Sequence, residues 1–264
     1  MMKKISFAIT LLLILAILLC SCSDGKVHDK NALTDWDLLI TGCYDQWDKN
    51  LKNNDNYKIG IIDFHTPVLS DSQQTEQFHD ELILKLIKKI SPSCKTQMVI
   101  LSNDATSDDI NTAIESLYED GCHIINMSFG QSEPVLFSSY VLDKIKNETL
   151  VLVCAAGNQN KGILYPAADE NTVCVYAKDI NGGIAKTDID YEVKPSFSAP
   201  GYHIYIDGDY YSGSSLATVY TSIAFAELYV RKQVPTSDLI EMAKKNATNS
   251  ISVNDYGTVQ IASK

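Results

Sequence analysis

The sequence predicts an α/β fold of three layers, a mostly parallel sheet flanked by helices on both faces. Five apolar runs of strand length, at residues 58–62, 97–101, 122–127, 150–154 and 172–176, are nearly continuous in hydrophobic residues rather than alternating. That is the pattern of strands covered on both sides. Between several of them lie helical periodicities, Leu82, Ile83, Leu86, Ile87 and Ile90, then Ile110, Ala113, Ile114 and Leu117. From Asp35 onward such runs alternate without an internal repeat or a low-complexity tract, which argues for one domain built of strand–helix–strand units.

Ahead of that domain stands a targeting segment. Lys3 and Lys4 precede an apolar run over residues 5–19, the n-region and h-region of a secretory signal and short of the roughly 20 residues that a membrane span needs. Leu19-Cys20-Ser21-Cys22 resembles a bacterial lipobox, with the small Ser21 directly before Cys22. The resemblance implies cleavage before Cys22 and its acylation, and more than one acyl chain is what stable anchoring requires. The expected layout is a signal peptide over 1–21, a polar tether over 22–34 and a domain over 35–264. The expected location is outside the cytoplasm, lipid-anchored to a bacterial membrane, with plain secretion or an uncleaved anchor as alternatives.

Residues 1–21 carry two lysines and no acid, so their removal takes the formal charge from −11 to −13. An acidic surface without a basic patch excludes nucleic acid as a partner. Besides Cys20 and Cys22 the chain holds Cys43, Cys94, Cys122, Cys154 and Cys174, an odd set without paired spacing. Cys122, Cys154 and Cys174 lie in or beside apolar runs and read as small core residues. No acidic cluster has a calcium-site spacing, and Asp207-Gly208-Asp209 reads as a turn.

In a parallel sheet the ligand site lies at the carboxyl ends of the strands. Here the first strand ends in Asp63, the third in Ser128-Phe129-Gly130 and the fourth in Ala155-Ala156-Gly157-Asn158. His79 opens an amphipathic helix, and Ser212-Gly213-Ser214-Ser215 leads into the apolar run at 219–228. An acid, a base, a nucleophile and an amide donor at one edge make up an acyl-transfer set.

At these residues the chain resembles a subtilisin-type serine protease, a subtilase. Ile59-Gly60-Ile61-Ile62-Asp63 resembles the aspartate motif, His79 the histidine motif and Ile125 to Gly130 the substrate-lining segment. Ala155 to Asn158 with Tyr165-Pro166-Ala167 resembles the oxyanion segment, and Phe197 to Gly201 with Ser212 to Thr218 the serine motif. The matches follow the family's order. The resemblance implies that Ser215 attacks the scissile carbonyl, His79 carries the proton, Asp63 orients His79, and Asn158 with the Ser215 N–H binds the oxyanion. It implies also that Ser128, Phe129, Gly130, Ala155, Ala156 and Gly157 line the substrate. The expected partner is a peptide or protein substrate of a monomeric enzyme without cofactor or metal.

Departures from the family pattern bound that expectation. Asp80 and Glu81 follow His79 where the family has glycine and a small hydroxyl residue; they suit a helix N-terminus but would raise the basicity of His79 and crowd the substrate. His65 stands two residues from Asp63 where the family usually has glycine, an adjacency that favours a loop role and leaves His79 as the base. Ser214 replaces a threonine and Val219 a proline, and the chain between Cys22 and the domain is short for a pro-region. A lipoprotein that keeps the cleft to bind peptides without cleaving them is therefore the alternative. An α/β-hydrolase esterase is disfavoured by the Asp, His, Ser order and by the lack of a Gly-x-Ser-x-Gly elbow. Cys22→Ala is expected to move the protein from the membrane to the soluble fraction, read by fractionation; retention would point to an uncleaved helix.

Overall fold

The computed structural model describes residues 36–41, 58–147, 149–158, 162–181, 194, 197–232, 235–248 and 258–259. The signal peptide, Cys22, the tether, His28 and Cys43 lie outside them. The chain divides into a unit over Met1–Leu33 and a unit over Thr34–Lys264, and all described residues belong to the second. None of its described helices is long and apolar enough to cross a membrane.

In chain order the elements begin with α1 (Trp36–Thr41), β1 (Lys58–Phe64), a hairpin of β2 (Pro67–Leu69) and β3 (Glu76–Phe78), α2 (His79–Ile90) and β4 (Lys95–Leu101). There follow α3 (Ser107–Glu119), β5 (Ile124–Met127), α4 (Ser139–Lys146), β6 (Val151–Ala155), β7 (Val173–Lys178) and β8 (Phe197–Pro200). A second hairpin of β9 (Ile204–Ile206) and β10 (Asp209–Tyr211), α5 (Ser214–Lys232), α6 (Thr236–Asn246), β11 (Ala247–Thr248) and β12 (Thr258–Val259) complete the set. The main sheet has the order β4-β1-β5-β6-β7-β8, and every pairing in it is parallel.

Alternate strand residues feed two separate cores, because side chains of a strand point to opposite faces. Ile59, Ile61, Val151 and Val153 join α2, α5 and α6 on one face, while Ile62, Leu152, Cys154 and Cys174 join α3 and α4 on the other. The predicted three-layer architecture is the observed one. Cys94, Cys122, Cys154 and Cys174 are buried, and burial pushes the Cys122 thiol up to about 11.

Local chemistry sets the helix ends. Thr106 and Asp109 form a reciprocal capping box at the start of α3, which satisfies two N–H groups that the helix leaves unpaired. The α2 N-terminus lacks a side-chain cap but carries Asp80 and Glu81 in its first turn and Lys88 and Lys89 in its last, both favoured by the helix dipole. The fully buried Asp37 of α1 accepts from Lys89 Nζ at 3.0 Å and from the Tyr220 hydroxyl, tying α1 to α2 and α5.

Gly60 sits in the centre of β1, where a larger residue would crowd three neighbouring side chains. A Cβ there would lie 3.1 Å from each of Cys122 Cβ, Ile125 Cγ1 and Leu117 Cδ1. Overpacking at such a point outweighs the entropy that alanine would save in the unfolded chain. Gly60→Ala is expected to lower stability by about 1–3 kcal/mol, read as a shift of the denaturant midpoint at unchanged slope.

Candidate active site

Strand register brings the expected site together. Ile62 of β1 is level with Met127 of β5, and Met127 with Cys154 of β6, so Asp63, Ser128 and Ala155, one residue further on, stand side by side at the carboxyl edge. Asp63 is 1% exposed there and accepts from the Phe64 N–H at 2.8 Å. His79 begins α2, its N–H held by the Thr66 carbonyl at 2.9 Å. Its Nδ1 lies 2.9 Å from both Asp63 oxygens. A carboxylate at Nδ1 keeps the proton on that nitrogen and leaves the lone pair on Nε2.

Ser215 lies in the first turn of α5, 8% exposed. Its Oγ donates to the Ser128 carbonyl at 2.8 Å, and the Ser128 Oγ donates back to the Ser215 carbonyl at 3.0 Å. Asn126 supports this pair: its Nδ2 donates to Ser128 Oγ at 2.8 Å, and its Oδ1 accepts from Ser222 at 3.1 Å. Ser222 is two helical turns beyond Ser215 on the same face, so a buried polar ladder fixes α5 against β5. The structure thus joins Asp63 to His79, and Ser215 to Ser128, but it forms no hydrogen bond between His79 and Ser215 among the described residues. Such bonds are often long before substrate arrives.

Asn158 is exposed, and its Oδ1 accepts from the Ser214 N–H at 2.6 Å. The acceptor end being engaged, the Nδ2 end is left to donate beside Gly213, 3.2 Å from where a Cβ on that glycine would be. The Gly157 N–H bonds Ser214 Oγ at 3.1 Å. Close approach of the segment after β8 also demands glycine, because a Cβ on Gly201 would fall 2.7 Å from the Gly213 carbonyl.

A pocket of about 410 Å³ opens beside Ser215, lined by Ser128, Phe129, Gly130, Gln131 and Ser132 on one side and Ala155, Gly157, Asn158 and Leu164 on the other. Ala156, expected in this lining, lies outside it. Its side chain is fully buried in the core, its N–H bonds Val175 and its carbonyl accepts from Leu164, so neither its side chain nor its backbone is left for a ligand.

The acid beside His79 has another partner. The Asp80 oxygens lie 3.0 and 3.2 Å from His65 Nδ1, and the His65 ring stacks on Phe78 at 3.6 Å. Two histidine–carboxylate pairs therefore stand next to each other, Asp63 with His79 and Asp80 with His65. His123 bonds the Thr149 carbonyl and stacks on Tyr229, a structural placement.

Sequence reasoning missed a clasp between the two hairpins. The β2–β3 hairpin runs directly into His79 and the β9–β10 hairpin into Ser215. Asp71 accepts from Ser212 Oγ at 2.8 Å, lies 2.5 Å from His203 Nδ1 and donates its N–H to the Tyr210 carbonyl. Asp209 accepts from Thr75 Oγ1 at 2.8 Å and Ser72 Oγ at 3.0 Å. Nothing in the spacing of these polar residues marks them. The expected turn at Asp207-Gly208 is present, with positive φ at both residues.

Hydrogen bonds from Thr75 and the Tyr210 N–H hold the Asp209 carboxyl down at about 2. A depressed acid stabilises the fold above its unfolded value of 3.8, and that contribution is lost as pH falls toward about 2. Amide exchange over residues 70–75 is expected to accelerate across this interval, and Asp209→Asn to remove the acid-dependent step.

The chain matches the model of the Subtilase family over residues 71–257, a span that holds His79, Asn158 and Ser215 and begins after Asp63. Subtilisin Savinase of Lederbergia lenta is 26% identical over 181 residues, 64% of this chain and 66% of that protein. A thermostable alkaline protease of Halalkalibacterium halodurans is 32% identical over 129 residues, 47% of this chain and 35% of that protein. The chain spans no more than about two thirds of the length of these curated relatives. Among solved structures, a lanthipeptide protease aligns with a TM-score of 0.66 at 16% identity over 88% of this chain and 93% of its own. The A-subunit of the AB5 toxin from E. coli aligns at 0.63 with 18% identity over 85% and 94%. At these identities the shared property is the fold.

Proposed function

The chain belongs to the subtilase family, and from that premise we propose that it is an extracytoplasmic serine endopeptidase, anchored through Cys22 and acting on peptides or proteins. The observation that carries the reading is the Asp63–His79 pair at the sheet edge, the carboxylate buried and both its oxygens 2.9 Å from Nδ1.

In the proposed reaction Ser215 Oγ leaves the Ser128 carbonyl and gives its proton to His79 Nε2 as it attacks the scissile carbon. Asp63 stabilises the imidazolium that results and keeps the ring oriented. Asn158 Nδ2 and the Ser215 N–H at the start of α5 donate to the oxyanion; one such donor is worth about a hundredfold to a thousandfold in rate. His79 then protonates the leaving amine, and a water molecule activated at the same nitrogen releases the acyl group. The Ser128 carbonyl, freed when Oγ turns, can accept from the substrate backbone.

The test is labelling by a fluorophosphonate, which reports an activated serine without knowledge of the substrate. Labelling at neutral pH is expected, with its loss in both Ser215→Ala and His79→Ala. A folded protein that resists the probe would overturn the proposal and favour the peptide-binding alternative.

A further inference from the structure

We propose that His65 and Asp80 are positioning residues for the general base, a second histidine–carboxylate pair that holds the first turn of α2 in the rotation that aims His79 at Ser215. This rests on His79 as the base of the proposed reaction and adds two residues that act through it. Both stand where the subtilase pattern has glycine. Two departures that look unrelated in the sequence, 15 positions apart, thus face each other in the fold.

His79 is the first residue of α2, and a helix end frays because its leading N–H groups lack partners within the helix. No side chain caps this one, whose N-cap is Phe78. The His79 N–H donates to the Thr66 carbonyl at 2.9 Å, and its ring reaches Asp63. Both of these anchors lie at His79 itself and leave the turn free to pivot about that residue. Asp80 supplies an anchor one residue further on, about 100° round the helix axis. Its oxygens lie 3.0 and 3.2 Å from His65 Nδ1, and Asp80 is 8% exposed. Turned away from His65, that carboxylate would be a buried charge without a partner, which is costly. His65 is fixed in turn by its ring, stacked on Phe78 with centroids 3.6 Å apart, and by the Thr66 N–H, which donates to the Phe64 carbonyl at 2.9 Å.

The two pairs run in opposite senses. The segment that leaves β1 gives the acid Asp63 and then the base His65, while the start of α2 gives the base His79 and then the acid Asp80. Each segment grips the other at two points, which fixes rotation as well as distance. The second grip survives titration of His65, since a carboxylate at Nδ1 keeps a proton there in the neutral ring and in the cation alike. Displacement of a reacting group by about 1 Å can cost about a hundredfold in rate, so the rotation of this turn bears directly on the reaction.

The test compares the full chain with four variants: His65→Phe, which keeps the stack on Phe78 but has no Nδ1; Asp80→Ala; the two combined; and Asp80→Asn, whose amide oxygen still accepts from His65. Thermal unfolding followed by circular dichroism checks that each is folded. One readout is the second-order rate constant of fluorophosphonate labelling, and the other is the downfield proton resonance of His79 Nδ1–H, identified by its absence in His79→Ala. His65→Phe and Asp80→Ala are each expected to slow labelling by about tenfold or more and to broaden the resonance, whereas Asp80→Asn stays within about threefold of the parent. The combined variant is expected to be no slower than the slower single one, because the same link is lost in each. Parent-like labelling and an intact resonance in folded His65→Phe and Asp80→Ala would overturn the proposal, as would losses that add in the combined variant. A parent that shows the resonance but resists the probe would sink the endopeptidase reading, and the resonance alone then decides the role of the pair.

Discussion

A helix with apolar residues on every side has to be surrounded, and α5 is surrounded by β5 to β8, α2 and α6. Leu216, Ala217, Val219, Tyr220, Ile223, Phe225 and Leu228 are all at most 2% exposed. Burial of each large aliphatic or aromatic side chain contributes about 1.5–3 kcal/mol, so the helix has no other stable position. Its polar residues follow the same logic. Thr218 and Thr221 donate to carbonyls one turn back, and Ser222 reaches Asn126. The first turn of such a helix is located by the whole core, and Ser215 lies in it.

The carboxyl edge of the sheet supplies the rest of the site by the same means. Because β1, β5 and β6 are in register, three successive strands end at one level, and each contributes a different group: a carboxylate at Asp63, a carbonyl at Ser128 and a pocket wall at Ala155. His79 is brought to Asp63 by the β2–β3 hairpin, whose short return leaves little slack between them. The polar clasp at Asp71 and Asp209 ties this hairpin to the one that precedes Ser215. The approach of His79 to Ser215 is thus governed by two hairpins as well as by two helices.

The elements that form the core were legible because burial writes itself into composition. The continuous apolar strands, the period of Leu82 to Ile90 and the long apolar run of α5 each correspond to an observed element. What was not legible has little hydrophobic signal. The two hairpins are three-residue strands of mixed polarity, α4 buries only Val141, and β8 reads as part of a motif because Ser198 and Pro200 interrupt its apolar residues. At the site, residue types and chain order indicated Asp63, His79, Asn158 and Ser215. Pairing is a different kind of information: that Asp80 meets His65, or that Ala156 turns into the core while its neighbours line the pocket, depends on register and side-chain direction. Leu164 went unremarked for the same reason, since an apolar residue near a Tyr-Pro step has no local mark of its place in the pocket lining.

The hydrogen bond from Ser215 to the Ser128 carbonyl bears on how the site passes from rest to reaction. A buried hydroxyl needs an acceptor, and the edge carbonyl of Ser128 is the one it uses. A neutral hydrogen bond of this kind contributes about 0.5–1.5 kcal/mol net, less than a typical barrier to catalysis by an order of magnitude. Under the proposed mechanism a substrate backbone that donates to the same carbonyl would compete with Oγ for it, and the displaced hydroxyl would turn to Nε2 of His79. Occupation of the cleft and activation of Ser215 would in this way be coupled through a single carbonyl, on a residue that Asn126 and Ser222 hold from the core.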